Sequence, residues 1–567
     1  MTRKRTCSPP IGRHTPFRKP STARVETLEP RRLLTSNLLT LGSTLFDAAF
    51  AVAALPDGGR IVAGTFGGTV NFSTGSSASQ STRTAAGDSD IFLLRQAENG
   101  TILWVQSFGG TIGDVDDEPL FSSIHATNGD FVNGIGPTVT FQGEYVTSLK
   151  VDGSRIYLGG SFQGTVDFDP TDGVVNRVST TRNHHDAFVA AFNLSDGTLA
   201  WVSTFGGRFD DAVRDLAVTP DGGVVATGYF TRDADFNPTQ TGVRLVQALG
   251  RDDLFVVKLR QTDSAPIGRL QWVYTAGGEA IRLQDRDSGE GIAVDARGNV
   301  YVTGTYAADA DFDPSRSRLI IPSIESRVDG FLLRLSPRGK LDYVKTFGGE
   351  GVDGGKAIGI DGAGRMYLAG YFSETADLDP GPGVRQLTAR QDGDAFDSDN
   401  ASDNQGRRRT DLFLAQVGLK GTLQWVQPVG GDDYEYLSRM DVAANGEILL
   451  SGAFAGRIYF EPPRSAADTT NSLLSVLGND DFDDDTRRDS SYDAFIARYN
   501  SEGAFLEARQ YGGAGDDWAT AAVFRPGRSG AEVAGLFRQT ASFSGTGEGG
   551  PTGVARGLDD LFALSSN

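Results

Sequence analysis

A short run that opens on aspartate and carries phenylalanine two residues later recurs seven times in this chain. It reads DIFLL at Asp90, DAFVA at Asp186, DLFVV at Asp253, DGFLL at Asp329, DLFLA at Asp411, DAFIA at Asp493 and DLFAL at Asp560. Repetition of this kind constrains the fold more than any other feature, because one such unit cannot cover its own apolar face and must be covered by a neighbour.

Three further β-type runs accompany each copy in a fixed order. The first ends near Val218, Val294, Ile360 and Val442. The second reads VVATGYF from Val224, VYVTGTY from Val300, MYLAGYF from Met366 and ILLSGAF from Ile448. Each second run holds one glycine at the same place, which predicts a bulge or a close backbone approach where neighbouring blades crowd together. The fourth run carries an aromatic residue and ends in a glycine pair at Gly110, Gly207, Gly278, Gly349, Gly431 and Gly513, six copies against seven of the third. The missing copy is found at the other end of the chain, in NLLTLGS around Leu38 to Ser43. An orphan fourth strand at the start and a terminal third strand at Leu561 to Leu564 are complementary halves of one blade. The fold class predicted is therefore all-β: a seven-bladed β-propeller of four-stranded blades, closed by pairing the N-terminal strand with the C-terminal blade. Closure removes two edges that would otherwise invite aggregation. A linear β-solenoid needs a cap at each end and has no use for complementary halves.

The chain has 567 residues and a formal net charge of −20, which argues against a nucleic-acid partner, since phosphate binding requires a positive surface. Its one cysteine, Cys7, precludes an intrachain disulfide. No apolar run reaches the length of a membrane-spanning helix.

Residues 1–35 reverse the charge balance, with Arg3, Lys4, Arg5, Arg13, Arg18, Lys19, Arg24, Arg31 and Arg32 against Glu26 and Glu29, and read as a basic, flexible targeting segment. Its stretch VETLEPRRLLT, Val25 to Thr35, resembles the LEPR-type (LExR-x-LL) N-terminal motif of planctomycete exported surface proteins, through Leu28, Glu29, Pro30, Arg31, Leu33 and Leu34. Residues 36–567 resemble the β-propeller repeat family of the bacterial SBBP type, whose pattern runs aVavD-x-x-GnvYvtG-x-f-x-g-x-x-DfDP, then DaFvakl and lxWvxtfGG. The third and fourth units fit it best; the second departs through residues 114–140, and the seventh lacks a clear DfDP turn. The resemblance implies a propeller on an extracellular or cell-surface protein and leaves the activity open.

Up-down alternation brings the loops between second and third strands, and those leading to the next unit, to one face. The acidic insertions 392–404 and 479–489, with Asp210, Asp211, Asp432, Asp433, Asp516 and Asp517 after the glycine pairs, predict a negative rim there. The sharpest local pattern is DADFDP, with Asp309, Asp311 and Asp313, echoed by Asp233 and Asp235 and by Asp167, Asp169, Asp377 and Asp379. Alternate carboxylates suit a hard cation such as Ca²⁺. The same residues also cap turns through their own backbone, and recurrence in several units favours that structural role. His184 and His185 precede a third strand and are expected in a solvent-exposed turn. Trp104, Trp201, Trp272 and Trp425 are expected to pack blades.

No H-E-x-x-H, G-x-S-x-G or phosphate-loop sequence is present. The functional expectation is a non-catalytic exported or cell-surface scaffold that binds a protein or glycan at its acidic rim. The alternatives are a carbohydrate-active enzyme, hydrolase or lyase, using rim carboxylates, and a purely structural envelope component.

Overall fold

The computed structural model describes residues 38–73, 82–110, 143–237, 244–262, 265–279, 286–313, 318–324, 327–390, 410–431, 434–465, 468–475, 491–545, 551–556 and 559–566. The LEPR-type motif, Cys7, residues 114–140, His125, Asp432, Asp433 and the insertions 392–404 and 479–489 lie outside the described residues.

The described chain is all-β, built of antiparallel sheets, with no helix. The fourth unit is representative. Its strands Ser288–Val294, Val300–Ala307, Val328–Leu335 and Leu341–Gly349 pair in sequence order. The second and third strands are buried along nearly their whole length, which is why they read as continuous apolar runs, whereas the fourth is partly exposed up to Thr346 and buried only at its Phe347–Gly349 end.

The sheet does not stop at four strands. Beyond Leu341–Gly349 lie Thr375–Asp377 and Gln386–Thr388, a hairpin that belongs to the fifth unit. Sheets built on the first, fifth and sixth units extend in the same way to six strands. In the third unit the hairpin is continuous with its long strands Val224–Asp235 and Leu245–Thr262, so that the sheets of the second and third units merge. The expectation of four-stranded blades holds for the seventh unit's sheet and is corrected for the others: the second to seventh units each lend a hairpin to the one before, while the first unit's hairpin, Thr69–Asn71 with Thr82–Thr84, stands as a separate two-stranded sheet. Register shows why the glycine pair is required. Gly348 and Gly349 oppose Asp377 and Ala376, and a Cβ on Gly349 would sit 2.1 Å from the Thr375 carbonyl oxygen. The equivalent distance is 2.0 Å at Gly110, 1.5 Å at Gly207 and 1.8 Å at Gly513.

The glycine of the second strand answers a different neighbour from the one expected. A Cβ on Gly304 would lie 1.9 Å from the Ser288 carbonyl oxygen, and one on Gly64 2.0 Å from that of Ala48. The crowding comes from the unit's own first strand, which bulges by one residue beside the glycine, and not from an adjacent blade.

Leu39–Leu41 pairs antiparallel with Asp560–Ser566 in the sheet of the seventh unit. First strands of consecutive units lie side by side, and that of the seventh, Asp517–Phe524, lies against that of the first, Asp47–Ala54. The apolar layers sit between units: Ile61 and Leu93 of the first pack with Leu149, Leu158 and Phe188 of the second. Leu39, Leu41, Val62 and Phe92 pack with Ala534 and Leu561 of the seventh.

Candidate functional site

The D-x-D motifs turn the lent hairpins. Asp311 Oδ1 accepts the amides of Asp313 at 3.1 Å and Leu319 at 2.8 Å, and its Oδ2 accepts Arg318 Nε at 3.0 Å. Asp235 bridges the amides of Asn237 and Arg244 in the same manner, Asp167 those of Asp169 and Val175, and Asp377 those of Asp379 and Arg385. A short carboxylate folds onto the amide two residues on and spans the hairpin, satisfying donors that no ladder reaches. Asp233 is engaged by Arg208 at 3.2 Å, and Asp309 is exposed on the first hairpin strand. Asp309, Asp311 and Asp313 thus lie on the hairpin of the fourth unit, and Asp233 and Asp235 on that of the third. Among the described residues no group of three or more His, Cys, Asp or Glu side chains is arranged to hold a metal ion.

The aromatic residue of the motif anchors the hairpin. Phe168, Phe236 and Phe312 pack on the third-strand phenylalanines Phe188, Phe255 and Phe331, with ring centroids 5.2, 5.4 and 5.5 Å apart. In the seventh unit Phe543 packs on Phe562 at 4.9 Å, so the anchor persists where the sequence pattern fades.

The face that carries these hairpins also carries a feature missed in the sequence. The aspartate that opens each third strand and the acid that opens the following first strand meet beneath the glycine pair. Asp211 and Asp517, expected on the rim, are each 1% exposed. Asp211 Oδ2 accepts the Gly207 amide at 2.7 Å and Oδ1 the Thr231 amide at 3.0 Å. Asp287 binds the amides of Gly278 and Ala307, and Asp353 those of Gly349 and Ser373. Each is a clamp joining the preceding unit's fourth strand to its own unit. The described part of the rim therefore carries less solvent-facing charge than expected. A signal was present: Asp211, Asp353 and Asp517 each follow the second glycine of a pair by four residues, and Asp47 follows Ser43 by four.

His184 and His185 converge on one carboxylate, their Nδ1 atoms each 3.3 Å from Asp210 Oδ1. Burial works to raise the Asp210 carboxyl, but the His185 donors and the charge on both imidazoles outweigh it and hold Asp210 well below the usual carboxylate range. His185 stands in the third strand His185–Asn193 against the Tyr145 ring and is only 15% exposed, so the expected solvent-exposed turn applies to His184 alone. Beside them the Tyr229 ring lies between the guanidinium groups of Arg214 and Arg286, 5.1 and 4.8 Å from its centroid.

The innermost strands supply a second polar region. At one equivalent position each first strand bulges, at Phe50, Thr147, Arg214, Glu290, Lys356, Ser438 and Thr520. Bulging re-aims these side chains toward adjacent units. Lys356 Nζ donates to Glu290 Oε2 at 2.9 Å, and Arg214 Nε stands 3.7 Å from Oε1. Burial opposes ionisation of Glu290, but the charges of Lys356 and Arg214 prevail and hold its pKa at about 2. Arg439, next to the bulged Ser438 in the sixth unit, donates to the carbonyls of Thr147 in the second and Arg214 in the third, and lies 3.5 Å from Asp215. Glu290, Lys356 and Arg439 of the innermost strands are thus engaged by other innermost strands.

Trp201 is buried against Tyr157, and Trp104, Trp272 and Trp425 lie against Gly197, Gly339 and Gly503, glycines in turns of the next unit. The contacts of Trp104, Trp272 and Trp425 are between units; Tyr157 belongs to the same unit as Trp201, whose contact with Gly268 reaches the third unit.

Residues 278–305 match the β-propeller repeat family (SBBP). An uncharacterised WD repeat-containing protein of Acanthamoeba polyphaga mimivirus is 22% identical over 257 residues, 42% of this chain and 17% of that protein. The chain thus spans about a sixth of that relative's length. Solved structures with similarity include a protein of unknown function from Bacteroides caccae, at 8% identity over 74% of this chain and 89% of that one, with a TM-score of 0.29. Another is the quinohemoprotein alcohol dehydrogenase of Comamonas testosteroni, at 10% identity over 93% of this chain and 76% of that one, with a TM-score of 0.36. Scores this low carry no argument about residue roles. The repeat match begins at Gly278, the last residue of the third unit's fourth strand, and spans the fourth unit's first strand and most of its second, elements whose geometry recurs along the chain, and it supports a β-propeller repeat protein.

Proposed function

We propose that the chain forms a closed seven-bladed propeller and acts as a non-catalytic exported or cell-surface scaffold, binding a protein or glycan through its loop-bearing face. The ring reading is supported by the pairing of Leu39–Leu41 with Asp560–Ser566 and by the contact of the seventh unit's first strand with the first unit's. It is supported again by Arg439, whose reach from the sixth unit to the second and third fits a narrow centre. That contact is the observation that carries the binding reading: with Arg439, Lys356 and Glu290 engaged by neighbouring innermost strands, recognition falls to the loop face. The acidic insertions 392–404 and 479–489 both precede third strands, Thr410–Val417 and Asp493–Tyr499, in the sequence. The basic residues 1–35, with their LEPR-type motif, serve delivery to the surface.

Immobilised full-length protein is screened against glycan arrays and envelope extracts, beside a variant whose aspartates in 392–404 and 479–489 are changed to asparagine. Ligand retained by the first and lost by the second is the expected result; equal retention removes the insertions from the account. Turnover on a polysaccharide panel would replace the scaffold by a carbohydrate-active enzyme.

A further inference from the structure

The acids that meet beneath the glycine pairs are not equivalent. Asp353 spends both carboxylate oxygens on backbone donors, Oδ2 on the Gly349 amide at 2.7 Å and Oδ1 on the Ser373 amide at 3.2 Å. Its partner Asp329 accepts the Ile324 amide on Oδ2 at 2.6 Å, and its Oδ1 is buried without a hydrogen-bond partner. The same asymmetry recurs at Asp211 and Asp186. Asp211 accepts the amides of Gly207 and Thr231, whereas Asp186 accepts Thr180 on Oδ2 and leaves a buried Oδ1 without a partner. The orphan oxygen borders the same glycine as the other acid. A Cβ on Gly348 would lie 2.3 Å from Asp329 Oδ1 and 3.1 Å from Asp353 Oδ2, so the two oxygens flank the same small space. At Gly206 the corresponding distances are 2.8 Å to Asp186 Oδ1 and 2.8 Å to Asp211 Oδ2. Asp329 and Asp353 are 1% and 0% exposed.

Two bare carboxylates in so small a dry space repel strongly, and a buried acceptor with no donor is costly. One proton on the third-strand acid resolves both. It turns the orphan oxygen into an O–H donor and leaves the clamp acid, already saturated with N–H donors, as the acceptor.

We propose that Asp329–Asp353 and Asp186–Asp211 are acid–carboxylate pairs, each sharing one proton carried by the third-strand aspartate, and that they form a pH-sensitive lock between consecutive units. Loss of that proton to water leaves two adjacent anions at the seam between one unit's fourth strand and the next unit. Burial raises both members of the Asp329–Asp353 pair, and the charge of Asp329 adds to the rise at Asp353. The other titratable groups that face this pair are the buried hydroxyls of Tyr306 and Tyr371. Around Asp186–Asp211 stand His185, which favours ionisation, and Asp210, which opposes it; Asp252 shares Thr231 with the clamp.

The test uses the full chain with Asp329→Asn and Asp353→Asn, read by thermal melting from pH 5 to pH 9 and by infrared spectroscopy. An amide in place of Asp329 keeps a donor toward Asp353, so D329N is expected to fold, to melt near the parent at pH 7 and to show a shallower loss of stability as pH rises. It also removes a protonated-carboxyl C=O band present in the parent. D353N loses the saturated acceptor and is expected to melt several degrees lower at every pH, or not to fold. Equal damage from the two changes, failure of D329N to fold, or no difference in the carboxylic band overturns the proposal. So does a rise of the parent's melting temperature with added Ca²⁺ that D329N abolishes, since the space would then hold a cation and not a proton.

Discussion

Arg60 Nη1 donates to Glu532 Oε2 at 2.9 Å across a sequence separation of 472 residues, with both side chains almost fully buried. Arg60 lies in the second strand of the first unit and Glu532 in that of the seventh, so the pair ties the two ends of the repeat array together. Arg525 approaches the other oxygen of Glu532 at 3.1 Å, and Arg60 also donates to the Ala563 carbonyl. Burial lowers the tendency of Arg60 to hold its charge, and the Glu532 carboxylate opposes that loss.

Glu532→Ala should therefore cost about 3–5 kcal/mol in urea unfolding, because it leaves buried guanidinium groups facing each other without their anion. The paired change Arg60→Met with Glu532→Leu should cost less than either single change, as a double-mutant cycle will record. Additive losses would mean that the two side chains are not coupled.

Gly349→Ala should break one seam without harming the fold around it. The new methyl meets a backbone carbonyl, so the hairpin at Thr375–Asp377 must move, at a cost of roughly 1–3 kcal/mol. Hydrogen exchange should show lost protection at the hairpin amides. Gly153→Ala is the control: its φ of 55° strains an alanine by about 1–2 kcal/mol, but nothing lies within 4 Å of the added carbon, and hairpin protection should be unchanged.

Asp311→Ala removes the acceptor for two amides and should cost about 1–3 kcal/mol with or without calcium. Melting of parent and variant with excess Ca²⁺ and with chelator separates the turn from a cation site. A calcium-dependent rise that the substitution abolishes would assign Asp309, Asp311 and Asp313 to a metal.

Stability should fall as pH rises from about 5 to about 8. Asp47, Asp186, Asp253 and Asp329 are raised by burial from 3.8 to about 7, and Asp353 to about 8. A folded-state pKa above the unfolded one gives stability that is complete below the unfolded value and lost as pH passes through the folded value. Acids lowered in the folded state, such as Asp221 and Glu290, work the other way at lower pH, so the optimum lies in the mildly acidic range. A melting temperature that climbs from pH 5 to pH 8 contradicts this.

The third-strand motif was legible because it reports a buried strand within one unit, and the second-strand glycine marked a close approach, although the neighbour it meets is its own unit's bulged first strand and not an adjacent blade. The lent hairpin was not legible, since Gly348 and Gly349 meet Asp377 and Ala376 across a unit boundary and no period within a unit encodes that pairing. Asp211 and Asp517 were misplaced on the rim because an aspartate beside a loop looks the same whether it faces water or two backbone amides. Arg439 gave no signal, since its partners come from units far away in the chain. The SBBP resemblance located the repeats and could not supply the clamps, which depend on how consecutive units abut.

The closed ring is tested most directly by comparing thermal melts of the parent, a variant lacking residues 38–45 and a variant lacking residues 1–30. Removing the strand withdraws Leu39 and Leu41 from the seventh unit's sheet, about 3–6 kcal/mol of apolar burial, and bares the edge of Asp560–Ser566. The strand-deleted protein should melt far below the parent and aggregate, while the protein lacking 1–30 melts with the parent. Equal melting of all three would contradict closure.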